Sequence, residues 1–135
     1  MAALFPLEIH TPTRIFFSGQ VEAIVLTLLD GEAAVYANHS PFTAPVNPCL
    51  LSIKDEDGNW KTAFTAEGIL EVKSHKTILV SDAAEWPDEI DYERVMDAKQ
   101  RAEEILAGGI LKFEKETASA ALLRANMRIK AKSGK

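Results

Sequence analysis

The sequence predicts a β + α protein, with an N-terminal antiparallel β-sandwich or barrel followed by a C-terminal antiparallel two-helix hairpin. Short apolar runs separated by turn residues extend from Leu4 to about Val80, which favours eight or more strands. After Ser81, apolar residues recur at three- and four-residue steps, which is typical of amphipathic helices. Trp86-Pro87-Asp88 ends the extended part. We therefore expect two domains, residues 1–85 and 86–135.

Two turn signals place the clearest hairpins. Asp30-Gly31 follows a β-branched run at 21–28 and predicts a type I′ turn, which needs positive φ at both central positions. Asp57-Gly58-Asn59 lies between the apolar runs 50–54 and 60–64 and predicts a second hairpin. The other predicted strands cover residues 7–11, 15–17, 33–37, 69–72 and 77–80.

Two helices are predicted after this region. Residues 90–106 contain neither glycine nor proline, Asp88 is the predicted N-cap, and Ala107-Gly108-Gly109 ends the helix. A second helix is expected from Ile110 to about residue 130. Because the link is short, the helices should fold back on each other. The apolar positions of the first are Val95, Ala98, Ala102 and Ile105. The second carries a heptad-like stripe that comprises Leu111, Lys115, Ala118, Leu122, Ala125 and Ile129.

Alanine dominates the surfaces through which the two helices should meet. Alanine has the highest helix propensity but buries little apolar area, so each helix is stable while the pairing is weak. This combination suggests a conformational switch, and a purely structural hairpin fits it equally well. The facing alanines are Ala98, Ala102, Ala118, Ala121 and Ala125.

Composition excludes several classes of protein. The net charge of −5 argues against nucleic acid as a partner, and no apolar run is long enough to span a membrane. Cys49 is expected to be a small buried hydrophobe, and the three histidines have no metal-site spacing. We find no phosphate-binding loop and no set of residues arranged for catalysis, so no catalytic or metal-binding residue is predicted. Neither a secretory signal nor a transit peptide is expected at the N-terminus. The single cysteine cannot form an internal disulfide, which fits a reducing cytoplasm.

Charge is distributed unevenly along the chain. Residues 110–135 hold two acidic and seven basic residues, whereas residues 1–89 hold thirteen acidic and five basic residues. A basic tail on an acidic body suggests that the tail meets an acidic surface. Arg94 and Arg101 share one face of the first helix, and Arg124 and Arg128 share one face of the second. The four would suit a polyphosphate, although arginines on exposed helices are more often simply solvated.

Three segments carry a family resemblance. Residues 31–42 read GEAAVYANHSPF and resemble the motif G-E-x-G-I-L-P-x-H-x-P-L of ATP synthase epsilon subunits. Ala34 replaces the family's usual Gly, and Ala37-Asn38 replaces its usual Pro-Gly. Residues 67–72, EGILEV, and 76–85, KTILVSDAAE, are similar to the last strands of that family's sandwich. The resemblance covers nearly the whole chain. It implies a sandwich of about ten strands and a helical hairpin.

The resemblance also implies a role in the complex. An epsilon subunit of a bacterial-type F-type ATP synthase is non-catalytic, binds the gamma subunit and the c-ring in the central stalk, and inhibits ATP hydrolysis when its tail extends. Glu32 and His39 match c-ring contacts in loops at one end of the sandwich. The extended tail would meet an acidic segment of the alpha and beta subunits through its basic residues, which here are Arg124, Arg128, Lys130 and Lys132.

Some bacterial members of this family bind ATP on the folded hairpin. Residues 90–95, IDYERV, resemble their motif I/L-D-x-x-R-A, with Val95 in place of alanine. No cofactor is required, and ATP would act as a regulatory ligand. The positions that match the ATP contacts are Glu85, Ile90, Asp91, Arg94, Arg101, Arg124 and Arg128.

The resemblance places the chain at the cytoplasmic side of the bacterial inner membrane, held there through the complex. The alternative is a free-standing β-sandwich binding module with a helical dimerisation tail. Binding to a gamma subunit distinguishes the two hypotheses.

Overall fold

The computed structural model describes residues 3–109 and 111–134. The chain divides into two compact units, of which one ends at Glu85 and the other begins at Trp86. The first unit has nine strands within the described residues, slightly fewer than the ten or so expected. The second has a short 3-10 turn and two α-helices. The predicted order, a β-sandwich followed by a two-helix hairpin, is confirmed.

The strands form one sheet that folds into two layers. The strands are β1 Phe5–His10, β2 Ile15–Leu28, β3 Gly31–Tyr36, β4 Phe42–Val46, β5 Cys49–Asp55, β6 Trp60–Thr65, β7 Gly68–Val72, β8 Thr77–Ser81 and β9 Ala84–Glu85. Their order in the sheet is β1-β8-β7-β4-β2-β5-β6-β9, with β3 added to β2 and β1 also paired with β2. Of the strand pairs that the structure describes, all are antiparallel except β1 with β8.

Alternating side chains build the core between the layers. In β1, Phe5, Leu7 and Ile9 are buried and the residues between them are half-buried, as period-two patterning requires. Cys49 is buried with a free thiol, as predicted. The largest fully buried side chains of the unit include Ile24, Leu26, Leu51, Ile53, Phe64, Leu70 and Leu79.

Three strand predictions need correction. The predicted strands at 15–17 and 21–28 form the single strand β2, because the polar residues between them stay paired with β1, Gly19 opposite Leu7. β4 was missed because it contains Pro45, which cannot donate a ladder hydrogen bond. Within the described residues, β4 pairs with β7 and, through one residue pair, with β2, and a strand with so few partners tolerates a missing donor. β9 was missed because two residues carry no periodicity.

The first hairpin is confirmed, but its predicted turn type is wrong. Leu29 and Asp30 form the turn between β2 and β3, and neither has positive φ; the residue that does is Gly31, at 132°. The second hairpin turns through Gly58, whose φ is 85°. There the Asp55 carboxylate accepts hydrogen bonds from backbone N–H groups two and four residues ahead, at 3.0 and 2.9 Å.

The second unit contains the 3-10 turn Pro87–Glu89, α1 Tyr92–Gly108 and α2 Lys112–Ser133. The prediction that Asp88 caps α1 is wrong, because Asp88 lies within the 3-10 turn. Asp91 is the cap, and its carboxylate accepts from the backbone N–H of Arg94 at 3.2 Å. The predicted start of the second helix, Ile110, lies outside the described residues. No described helix is long and apolar enough to cross a membrane.

The helices meet through small residues spaced seven apart. Val95 and Ala102 of α1 and Ala118 and Ala125 of α2 are buried, as a heptad-like seam requires. The predicted stripe does not continue to the turn end of the hairpin, where Leu111 is 60% exposed. The helical pairing is therefore close at the alanines and incomplete near the turn.

Candidate functional site

The start of α1 holds three of the residues proposed for nucleotide binding. Ile90 is buried, whereas Asp91 and Arg94 are exposed. Asp91 is the N-cap of α1, and its carboxylate accepts a hydrogen bond from the backbone N–H of Arg94. The carboxylate therefore has a structural role although the residue is exposed. Any ligand bound here would meet a helix N-terminus, which favours anions.

Arg101 lines an open cleft between the two helices, on the turn side of the seam. The cleft has a volume of about 510 Å³. Its walls are mainly apolar, made by the seam alanines with Ile105 and Phe113, and Glu114 and Thr117 are polar side chains beside Arg101. Phe113 is 77% exposed. The cleft therefore combines apolar surface with one cationic and one anionic side chain.

Arg124 and Arg128 lie further along α2 and are not among the residues that line this cleft. Both are half-buried, and each has an interaction partner within the protein. Val95, which replaces the alanine of the family motif, is buried in the seam. The side chain at this position thus fills the hairpin. Glu85 belongs to the first unit, where it lies in β9 opposite Phe64.

The basic end of α2 carries Lys130 and Lys132, both exposed. The Lys132 ammonium donates a hydrogen bond to the backbone carbonyl of Pro87 at 3.0 Å. Cations in the last turn of a helix also interact favourably with its carbonyl end. Lys130 adds a second exposed positive charge to the last turn of α2.

Glu32 and His39 are both exposed, but they lie at opposite ends of β3. Glu32 is a strand residue paired with Thr27 beside the β2–β3 turn, and His39 follows the other end. The expectation that both lie in loops at one end of the sandwich is therefore wrong. His39 donates through Nδ1 to the carbonyl of Ser40 at 2.8 Å, and its ring lies 5.1 Å from that of Phe42.

An apolar row that sequence reasoning did not find crosses the outer face of three strands. Pro45 of β4 pairs with Ile69 of β7, which pairs with Val80 of β8. All three are exposed, Ile69 at 47% and Val80 at 55%. The outward positions were recognisable from alternation, but their alignment was not, because it depends on which strands are neighbours.

No group of three or more His, Cys, Asp or Glu side chains within the described residues could hold a metal ion. Burial raises the pKa of the Cys49 thiol, which keeps it protonated and unreactive.

Two family models together match almost the whole chain. Residues 4–87 match the delta/epsilon chain β-sandwich domain of ATP synthase, and residues 88–133 match the delta/epsilon chain long α-helix domain. The chain belongs to the ATP synthase delta/epsilon family. The resemblance to epsilon subunits expected from the sequence is thus confirmed.

Two curated relatives are similar to this chain along nearly their whole length. The ATP synthase epsilon chain of Caldicellulosiruptor bescii is 47% identical over 128 residues, which are 95% of this chain and 93% of the relative. That of Caldanaerobacter subterraneus is 44% identical over 131 residues, 96% and 94% of the two chains.

Solved structures share the fold of this delta/epsilon family chain. A chain of the Euglena gracilis mitochondrial ATP synthase has a TM-score of 0.82 at 20% identity, over 97% of this chain and 82% of that one. A chain of the Tetrahymena thermophila mitochondrial ATP synthase central stalk and c-ring has a TM-score of 0.61 at 14% identity, over 97% and 98%.

Proposed function

We propose that this chain is a non-catalytic central-stalk subunit of a rotary, proton-translocating ATP synthase. The sandwich would couple the gamma subunit to the c-ring, and the hairpin would regulate ATP hydrolysis at the alpha and beta subunits. The observation that carries this proposal is the match of both units to the two domains of one family. The chain would lie at the cytoplasmic face of the bacterial inner membrane, held there by its partners.

The apolar row formed by Pro45, Ile69 and Val80 is the proposed gamma-binding surface. Exposed apolar side chains in a contiguous patch mark protein interfaces more often than scattered ones do. The row lies on regular strands, so its geometry is fixed before binding and little ordering is required.

Capture of this chain by a purified gamma subunit tests the proposal. Ile69→Glu should weaken gamma binding at least tenfold, because the complex would bury the new carboxylate without a partner, which is energetically costly. Trp60→Glu is the matched control, since Trp60 is 51% exposed on another strand, and it should bind like the wild type. If the wild-type chain fails to bind gamma and sediments as a dimer, the free-standing module with a dimerisation tail is the better description.

The c-ring contact is proposed along β3 instead of at one end of the sandwich. Among the strands that the structure describes, β3 pairs only with β2, which leaves its other edge open. Glu32 and His39 mark the two ends of that edge, and Tyr36 is 56% exposed between them. A surface of this length would let both residues contact neighbouring ring subunits.

The hairpin is proposed as the inhibitory element, and ATP as a ligand that keeps it folded. The alanine seam buries little area, so its pairing can be exchanged for contacts elsewhere. Arg94, Arg101 and the N-terminus of α1 offer donors suited to phosphate, whereas Val95 is buried and fills space within the hairpin. A ligand that binds only the folded hairpin lowers the population of the extended one.

Calorimetric titration of the whole chain with ATP measures this binding. If ATP binds the hairpin, the heat of binding should saturate at millimolar ATP or below. The heat should be lost in Arg101→Ala and retained in Lys99→Ala. The absence of heat at millimolar nucleotide excludes ATP binding and leaves the stalk role untouched.

A further inference from the structure

The two ends of the hairpin differ in how tightly they are closed. At the turn end, Leu111 and Phe113 are exposed and the cleft separates the helices. At the base, the end of α2 packs on the 3-10 turn Pro87–Glu89, and Ala131 is only 2% exposed. We name this region, residues 86–91 and 128–133, the hairpin base.

Within the hairpin base, a polar contact joins the last turn of α2 to the 3-10 turn. The Lys132 ammonium reaches the Pro87 carbonyl at 3.0 Å, and the same carbonyl accepts the backbone N–H of Ile90 at 3.3 Å. The 3-10 turn is itself fixed, because the Glu89 carboxylate accepts from the backbone N–H of Trp86 at 2.8 Å. Lys132 therefore bonds to a carbonyl whose position is already determined by the turn.

We propose that Lys132 is a latch, and that the hairpin opens from its turn end while the base stays closed until this latch is released. Local opening begins where the fewest apolar contacts are broken, which is the cleft side. A hydrogen bond from a charged donor adds most where its acceptor is already ordered. This inference concerns the regulation of the tail and rests on the proposed function for its biological meaning.

Amide hydrogen exchange on the whole isolated chain tests the latch. In the wild type, amides of residues 112–116 should exchange faster than those of residues 126–131. Lys132→Met keeps the aliphatic stem and removes the donor, so exchange of residues 126–131 and 88–90 should accelerate about three- to fivefold. Lys132→Arg, which retains a donor, should restore most of the protection.

Lys130→Met is the matched control, since Lys130 is an exposed lysine of the same helical turn. It removes the same charge and should leave the base protected. Equal acceleration in both variants, no acceleration in either, or greater protection at the turn end of the wild type would overturn the proposal. None of these outcomes depends on gamma binding, so failure of the latch and failure of the stalk role are separate results.

Discussion

Gly68 lies where two strands approach too closely for a side chain. A Cβ there would overlap the carbonyl oxygen of Val80 and lie 2.9 Å from the Cα of Ser81, both of which are backbone atoms that cannot rotate away. We expect Gly68→Ala to lower the free energy of unfolding by about 1–3 kcal/mol. Gly108→Ala is the control, because a Cβ at Gly108 meets nothing within 4 Å and alanine favours helix. Urea unfolding measures both; equal midpoints would contradict the expected overlap.

Glu8 links the two parallel strands through charge. Its carboxylate accepts from His10 Nε2 at 2.8 Å and from the ammonium of Lys76, the residue before β8, at 3.0 Å. These two hydrogen bonds hold the pKa of Glu8 below its ordinary value of 4.5. Because the pKa of Glu8 is lower in the folded state, its ionised carboxylate stabilises the fold. This stabilisation is complete above about pH 4.5 and is lost as the pH falls through the pKa of Glu8 in the folded state.

Replacing Glu8 should therefore matter most near neutral pH. The Tm of Glu8→Gln should lie below that of the wild type at pH 7, and the gap should narrow as the pH falls below about 4.5. Thermal melts from pH 7 to 3 measure it. Glu56→Gln removes an exposed turn carboxylate without breaking this ion pair and corrects for net charge. If the Tm difference between Glu8→Gln and the wild type increased as the pH fell, the proposed stabilisation by ionised Glu8 would be wrong.

At the level of elements, the cap of α1 was predicted one turn too early. Asp88 and Asp91 both precede an apolar-periodic run, and the sequence does not say which one begins the helix. The 3-10 turn decides, since Glu89 bonds back to Trp86 and leaves Asp91 as the residue next to the first helical turn. Asp88 and Asp91 are both suitable N-caps, so the spacing of residues alone could not show which of them caps α1.

Asp91→Ala measures the value of this cap. Loss of the hydrogen bond to the Arg94 N–H should destabilise α1 by about 1 kcal/mol. Exchange of the amides of residues 93–96 should accelerate about fivefold, while those of the sheet remain unchanged. Asp88→Ala removes the same charge from the 3-10 turn and should leave these amides protected. If Asp88→Ala has the larger effect, the original assignment of the cap is restored.

Elements with strong periodicity were predictable, and those defined by pairing were not. The alternation of β1 and the alanine spacing of the hairpin are local properties of the sequence. β4 contains a proline, and it is a strand because β7 pairs with it. The row of Pro45, Ile69 and Val80 depends on the register of three strands. The candidate hairpin residues are therefore recognisable in the sequence, whereas this surface is not.

For the molecule as a whole, charge distribution predicts where an extended tail would bind. The chain is acidic before residue 90 and basic after residue 109, so a released α2 should seek an acidic surface on another subunit. Lys130 and Lys115 are both exposed on α2, one near each end of the helix. Only Lys130 belongs to the proposed inhibitory end, so the two positions form a matched pair.

Lys130→Glu should therefore weaken inhibition of ATP hydrolysis about three- to tenfold in the reconstituted complex, whereas Lys115→Glu should leave it close to that of the wild type. The difference should diminish between 50 mM and 500 mM salt, because exposed charges are screened beyond about 10 Å at 0.1 M. Hydrolysis rates across a salt series measure both effects. If the two variants behave alike at low salt, the tail does not bind through its basic end, and the charge asymmetry serves the folded hairpin instead.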